Sequence, residues 1–209
     1  MKKRYIVREY RESDLQDVAK AFKEGFKPRV RTVAVFDEAH PKFLEDVVKL
    51  SIEFGDVVLV AEADGKARGI LVGSFLDKGI LTKLLRLLPV FGSLIPKLFS
   101  FRTLVALFES TIDMSVFAPY YVRDAPSVDL LASQQGYRGG IGRAMMDRWV
   151  ELVKERGYEF TIVGTDERMS WQFYERYGFQ RYKSFPMIPD ILTNPWKRIL
   201  GFMYHIRVG

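Results

Sequence analysis

The chain has 209 residues, 48% hydrophobic, 28% charged and 14% aromatic, an ordinary globular mixture at a length that suits one domain. It has no Cys and only two His, His40 and His205. That excludes thiol nucleophiles, Cys-ligated zinc, iron–sulfur clusters and disulfides, and it speaks against multi-His metal sites, so no metal is expected. Lys and Arg total 32 against 26 Asp and Glu, a net charge of +6 that favours anionic partners without choosing among them.

In chain order, Tyr5-Ile-Val-Arg-Glu-Tyr reads as a first strand, and its short apolar run is not that of an export signal. Ser13-Asp-Leu-Gln16 has the form of a capping box, and Leu15, Val18, Ala19 and Phe22 follow at helical spacing, with Gly25 as the expected stop. A second helix is predicted from Lys42 to Phe54, with Phe43, Val47, Leu50 and Phe54 on one face. Asp56 to Phe75 reads as a β-hairpin: two apolar, β-branched runs flank Asp64-Gly65, a dipeptide suited to a tight turn with positive φ.

Gly79 to about Pro119 breaks this pattern. Ile80 to Phe108 is rich in Leu and Phe, carries four Lys or Arg and no acid, and reads as two or three short helices joined at Pro89, Gly92 and Pro96. Its longest charge-free interval, Leu87 to Pro96, is far shorter than the ~20 residues of a membrane-spanning helix. A cytoplasmic protein is therefore expected. Three readings of this insertion stand side by side: extra core, a lid or wall of a pocket, and an interfacial surface touching anionic lipid (residues 80–108) or a second copy. Beyond it, a strand at Val128 to Ala132 leads to a Gly-rich turn and a helix from Gly142 to Arg156, stopped by Gly157. Then come a strand from Glu159 to Gly164, a helix from Arg168 to Tyr177 stopped by Gly178, and a final strand from Ile199 to Val208.

The chemistry is concentrated in Leu130-Leu-Ala-Ser-Gln-Gln-Gly-Tyr-Arg-Gly-Gly-Ile-Gly-Arg. A strand runs into clustered glycines and directly into an amphipathic helix, the arrangement of an anion cradle. Orphan N–H groups of the first helical turn converge on one spot, and the helix dipole adds roughly half a positive charge there. Arg138 and Arg143 can add charged donors. No Lys-Ser/Thr follows the glycines, so this is not the GxxxxGK[ST] phosphate loop, and Gly140-Ile-Gly142 continues as Arg-Ala-Met, which breaks the dinucleotide GxGxxG pattern. A glycine turn capping an ordinary helix remains the plainer reading.

Downstream, Glu167-Arg-Met-Ser-Trp-Gln-Phe-Tyr-Glu-Arg-Tyr-Gly-Phe179 places Phe173, Tyr174 and Tyr177 on a helix before Gly-Phe. Taken with the glycine loop, this resembles the GNAT (Gcn5-related N-acetyltransferase) superfamily, in which a strand, an (Arg/Gln)-x-x-Gly-x-(Gly/Ala) loop and a helix form the acyl-coenzyme A site and a later helix supplies a tyrosine. The resemblance extends to the opening strand and helix, the hairpin and the closing Phe202-Met-Tyr; the insertion is unmatched. Four positions depart from the pattern: Tyr137 stands where the family usually has Arg or Gln, Arg138 where it usually has Gly, Glu167 where it often has Asn, and Ser170 where it usually has Ala.

The resemblance implies an α/β (α+β) fold with a central mixed, mostly antiparallel sheet flanked by helices, and a single acyltransferase domain over 1–209 with its helical insertion at about 79–119 between the third and fourth strands. It implies direct transfer of an acetyl group from acetyl-CoA, or another acyl-CoA, to a small-molecule or peptide amine. Leu131, Ala132 and Ser133 would pair with the pantetheine arm. Arg138, Gly139, Gly140, Ile141, Gly142 and Arg143 would hold the phosphates, and Tyr174 would protonate the departing thiolate. Asp129, Glu109 and Asp113 are the candidate bases, with an ordered water chain as the equal alternative. A non-catalytic CoA-binding or sensing protein on the same fold is the alternative, motivated by Tyr137 and Glu167. Residues 128–183 hold nine Lys or Arg against eight Asp or Glu, so no basic stripe for nucleic acid is expected. A monomer or homodimer is expected.

Overall fold

The structure is a computed structural model that describes residues 5–40, 42–75, 100–122, 125–137 and 140–209. Among them, seven strands form one sheet in the order β1-β2-β3-β4-β5-β7-β6. They are β1 (Ile6–Glu9), β2 (Val57–Ala63), β3 (Lys66–Ser74), β4 (Ser127–Ser133), β5 (Phe160–Asp166), β6 (Gln180–Met187) and β7 (Ile199–Arg207). Every neighbouring pair is antiparallel except β4 and β5.

The hairpin forms as its sequence dictates. β2 and β3 pair throughout, and Asp64 and Gly65 take φ of 53° and 70°, the left-handed values that a two-residue turn of matching twist requires.

The helices are α1 (Leu15–Phe26), α2 (Arg31–Ala39), α3 (Phe43–Phe54), α4 (Phe101–Ser115), α5 (Ile141–Glu155) and α6 (Gln172–Tyr177). Each long one buries one stripe. Val18, Ala19 and Phe22 of α1, Val33 and Phe36 of α2, and Phe43 and Val48 of α3 pack on one sheet face against Val60, Ile70, Val72, Leu130 and Ala132. Met145, Met146, Trp149 and Val153 of α5 pack on the other, against Leu59, Leu71, Val128 and Val163. Trp149 is fully buried, its indole N–H donating to Thr161 Oγ1 at 3.0 Å.

Several elements differ from their sequence-based expectation. The Ser13–Gln16 capping box does not form. Asp14 instead accepts the Arg11 amide (2.8 Å) and both Nη groups of Arg8 (2.7 and 2.9 Å), and α1 runs one residue past Gly25. The helix expected from Arg168 starts at Gln172, because Asp166 captures the Arg168 amide at 2.8 Å and holds that stretch as a turn. Helix α2 and strand β6 were not expected at all. The helices proposed around Pro89, Gly92 and Pro96 lie outside the described residues, as does most of the 80–108 surface. Within the described residues no helix is long and apolar enough to cross a membrane.

Candidate functional site

The site begins where two strands part. β4 pairs with β5 only at Ser127↔Ile162 and Val128↔Val163, although β4 continues to Ser133 and β5 to Asp166. The outer edge of β4 stays paired with β3, with a bulge at Asp129, and the outer edge of β5 stays paired with β7 to Asp166. From Asp129 and Gly164 onward the inner edges diverge, so the strands present N–H and C=O groups to a wedge rather than to each other. A strand edge of this kind is a template for an extended, amide-bearing ligand.

A cavity of about 870 Å³ occupies the wedge and is lined by residues from both sheet faces. On the α5 face it is lined by Gly140, Gly142, Arg143, Phe173, Tyr174 and Tyr177. On the other face it reaches Phe22 and Phe26 of α1, Val33 and Phe36 of α2, and Asp113 and Met114 of α4.

The glycines perform two jobs. Gly140 precedes α5 with φ +96°, and a Cβ there would stand 2.5 Å from the Tyr5 hydroxyl, so the chain turns tightly enough to aim α5 at the wedge only without a side chain. The first helical bond runs from Ala144 N to Gly140 O (3.0 Å), leaving the amides of Ile141, Gly142 and Arg143 ahead of the ladder. Their dipole and the Arg143 guanidinium make that mouth electropositive. Arg143 also lies over the Tyr177 ring at 5.2 Å.

Tyr174 sits on α6, whose C-terminus is fixed by Gly178 (φ +121°) and by bonds from the amides of Gly178 (3.1 Å) and Phe179 (2.9 Å) to the Tyr174 carbonyl. Its ring meets Phe173 and Phe179 edge-on at 5.3 and 5.7 Å, an arrangement that locks its orientation. Burial, with a smaller contribution from Tyr121, holds its phenol well above the ordinary value, so it is a protonated donor at neutral pH.

The residues singled out in the sequence therefore separate cleanly. Leu131, Ala132, Ser133, Gly140, Gly142, Arg143 and Tyr174 all line one cavity. Ile141 does not: its side chain is fully buried in the α5 core, so only its backbone amide can serve an anion. Arg138 and Gly139 lie outside the described residues. Tyr137 turns away from the cavity, donating to Asp64 at 2.6 Å with Arg68 stacked 4.6 Å over its ring.

Of the three candidate carboxylates, Asp113 and Asp129 line the cavity and Glu109 does not. Glu109 is fully buried, ion-paired with Arg31, and accepts from the Leu192 and Thr193 amides and the Thr193 hydroxyl at 3.0–3.1 Å. It is an interior anchor. Asp129 accepts from the hydroxyls of Ser74 and Ser127. Asp113 touches Arg168 at 3.2 Å, and Arg168 is gripped by Asp166 through two nitrogens at 2.8 and 3.0 Å. Asp166 and Arg168 line the cavity and were missed in the sequence. The signal that could have found them is a carboxylate two residues before an arginine at the end of a predicted strand.

No family model matches the chain, and no curated protein matches its sequence. Solved structures do match along nearly its whole length. One is a protein provisionally named a phosphinothricin N-acetyltransferase, with 13% identity over 99% of both chains and a TM-score of 0.60. A second is a provisionally named acetyltransferase of the GNAT family from Desulfovibrio desulfuricans, with 12% identity over 99% of this chain and 100% of that one and a TM-score of 0.57. A third is an agmatine N-acetyltransferase mutant, with 14% identity over 98% and 100% and a TM-score of 0.55. At these identities the likeness is one of fold.

Proposed function

We propose that this GNAT-fold chain is an acyl-CoA-dependent N-acyltransferase, moving an acetyl group from acetyl-CoA to an amine by direct transfer, with 1–209 as one acyltransferase domain. The observation that carries the reading is the parting of β4 and β5 beyond Val128 and Val163, with the α5 N-terminus at one end of the wedge and Tyr174 on its wall. The residues present fit the co-substrate. Leu131 to Ser133 offer a strand edge for the pantetheine amides, and the amides of Gly140 to Arg143 offer a cradle for the pyrophosphate. Acetyl-CoA would supply a thioester: its carbonyl carbon bonds to the nitrogen of the neutral amine as the C–S bond breaks, the sulfur takes the Tyr174 proton, and the proton shed by the nitrogen returns to the tyrosinate.

The chain's own contribution is positioning and proton transfer. A β4 amide at the wedge polarises the carbonyl oxygen, and Tyr174 gives its hydroxyl proton to the departing sulfur. Burial that raises the phenol also raises the basicity of a thiolate in the same apolar wall, so the two stay matched. Acetyl-CoA being an intracellular metabolite, this reading puts the chain in the cytoplasm.

Calorimetric titration with acetyl-CoA tests the reading: binding that weakens with salt is expected, and none at millimolar ligand refutes it. Tyr174→Phe should lower turnover about 10²-fold while leaving acetyl-CoA affinity unchanged; unchanged turnover removes Tyr174 from the chemistry. One observation favours a second reading, a CoA-binding protein without transfer. Tyr137, at the family's usual Arg/Gln position, is committed to Asp64 and Arg68 rather than to the cradle. Acetyl-CoA binding without thiol release across an amine panel would select it.

A further inference from the structure

The proposed acyl-CoA site uses only the α5 side of the cavity. The half on the other sheet face has a distinct character. Its wall is apolar and aromatic: Phe22 stacks on Phe26 at 4.6 Å, and Val33, Phe36 and Met114 continue it. Into this wall α4 and the end of β5 set a charged group of three residues, Asp113, Asp166 and Arg168.

Their geometry leaves one charge over. Arg168 spends Nε and Nη2 on the two oxygens of Asp166, a fork-to-fork pair at 3.0 and 2.8 Å. Asp113 receives a single, longer contact of 3.2 Å from Nη2. Two carboxylates face one guanidinium, a net charge of −1, and their side chains are only 14% and 10% exposed. Arg29, the other cation among the described residues lining this half, keeps its charge but is drawn to Ser170 Oγ at 2.9 Å and forms no ion pair with either carboxylate. Asp113 also lies in the last turn of α4, where the helix dipole already contributes negative potential. A partly buried, undercompensated anion at a negative helix end, in an apolar cavity, is complementary to a cation.

From this geometry we infer that Asp113, braced by Arg168 and Asp166, binds the ammonium of the acyl acceptor, which releases one proton to water before its nitrogen attacks, and that the acceptor is a primary amine with an apolar body of aromatic size. The inference rests on the acyltransferase reading and names its acceptor class. Asp166 closes the stretch of β5 that borders the wedge, so an ammonium held at Asp113 lies on the acceptor side of the gap through which the thioester would be presented. Burial pushes the Asp113 carboxyl up to about 6, Arg168 opposing this and Asp166 and Asp190 adding to it. It is therefore ionised at neutral pH.

The test compares three probes of one shape: 2-phenylethylamine, the neutral 2-phenylethanol and the anionic 3-phenylpropionate, titrated into the full chain with and without CoA. The wild type should prefer the amine to the alcohol about tenfold or more and should reject the acid. Asp113→Asn should erase that preference with acetyl-CoA affinity unchanged, and Asp113→Glu should restore part of it; thermal melts of both variants establish folding. Equal affinity for amine and alcohol, a preference that survives in Asp113→Asn, or no amine binding at all overturns the inference. Amine preference without acetyl-CoA binding leaves the cation pocket standing and removes the acyltransferase reading. Acetyl-CoA binding without amine preference does the reverse.

Discussion

Replacing Asp113 by Asn probes the same carboxylate through stability rather than binding. Burial pushes this carboxyl up to about 6 from an ordinary 3.8. Arg168 pulls it down, while Asp166 and Asp190 push it further up. In the unfolded chain it titrates at the ordinary value. Between those two pH values the folded chain therefore holds a proton that the unfolded chain has released. The stability this proton confers is fully present below pH 3.8, declines as pH rises through the window, and is gone above about 6. The window spans roughly 2 pH units at about 1.36 kcal/mol each, so the ionised carboxylate costs the fold up to ~3 kcal/mol at pH 8. The carboxyl is only partly buried and faces the open cavity, so solvent screening trims this to roughly 1.5–2.5 kcal/mol. Asn is the neutral isostere. Asp113→Asn should melt roughly 3–10 °C above wild type at pH 8, given about 2–4 °C per kcal/mol at this chain length. The gap should narrow steadily as the buffer is taken from pH 8 to 4.5, because the wild type regains its proton and the variant has none to gain. Differential scanning calorimetry at four or five pH values reads it directly. A variant no more stable than wild type at pH 8, or a gap that widens on acidification, refutes the argument. A carboxylate that destabilises its own fold where it lines a cavity is the signature of a group held for binding rather than for packing.

Gly140→Ala places a Cβ 2.5 Å from the Tyr5 hydroxyl at φ +96°, so the turn must shift; acetyl-CoA affinity should fall more than tenfold in calorimetry, with a melting change of only a few degrees. Glu109→Ala leaves one Arg31 nitrogen and three donors from Leu192 and Thr193 without their acceptor, Arg31 keeping Asp190 at 3.1 Å; we expect a loss of roughly 1–3 kcal/mol in urea unfolding, while the folded variant still binds acetyl-CoA. Arg143→Ala should weaken acetyl-CoA and flatten the salt dependence of its binding, and a slope equal to that of wild type would show that Arg143 faces no phosphate.

Some of the molecule was legible because its signals are local. The 57–75 hairpin is specified by two β-branched runs and by Asp64-Gly65, whose backbone takes the positive φ values that dipeptide permits. Helix α5 announces itself through Met145, Met146, Trp149 and Val153 at helical spacing and through Gly157 (φ +79°) beyond its end. Helix α2 escaped because Val30, a β-branched residue with no side-chain cap, precedes it; packing of Val33, Val35 and Phe36 holds it. Strand β6 escaped because its first five residues are exposed and show no alternation; its backbone pairing with β7 defines it.

The same division runs through the candidate site. Sequence alone determined the glycine turn between β4 and α5, since the positive φ that Gly140 adopts is a property of the local chain. It also determined that Tyr174 stands four residues before a helix-ending glycine. Tertiary structure decided the rest. Where β4 and β5 stop pairing depends on partners more than 30 residues apart, and the contact of Asp113 with Arg168 spans 55 residues. The charge left over in the apolar half of the cavity exists only once those side chains share one desolvated space. Burial and charge balance belong to the assembled interior, and no stretch of sequence carries them.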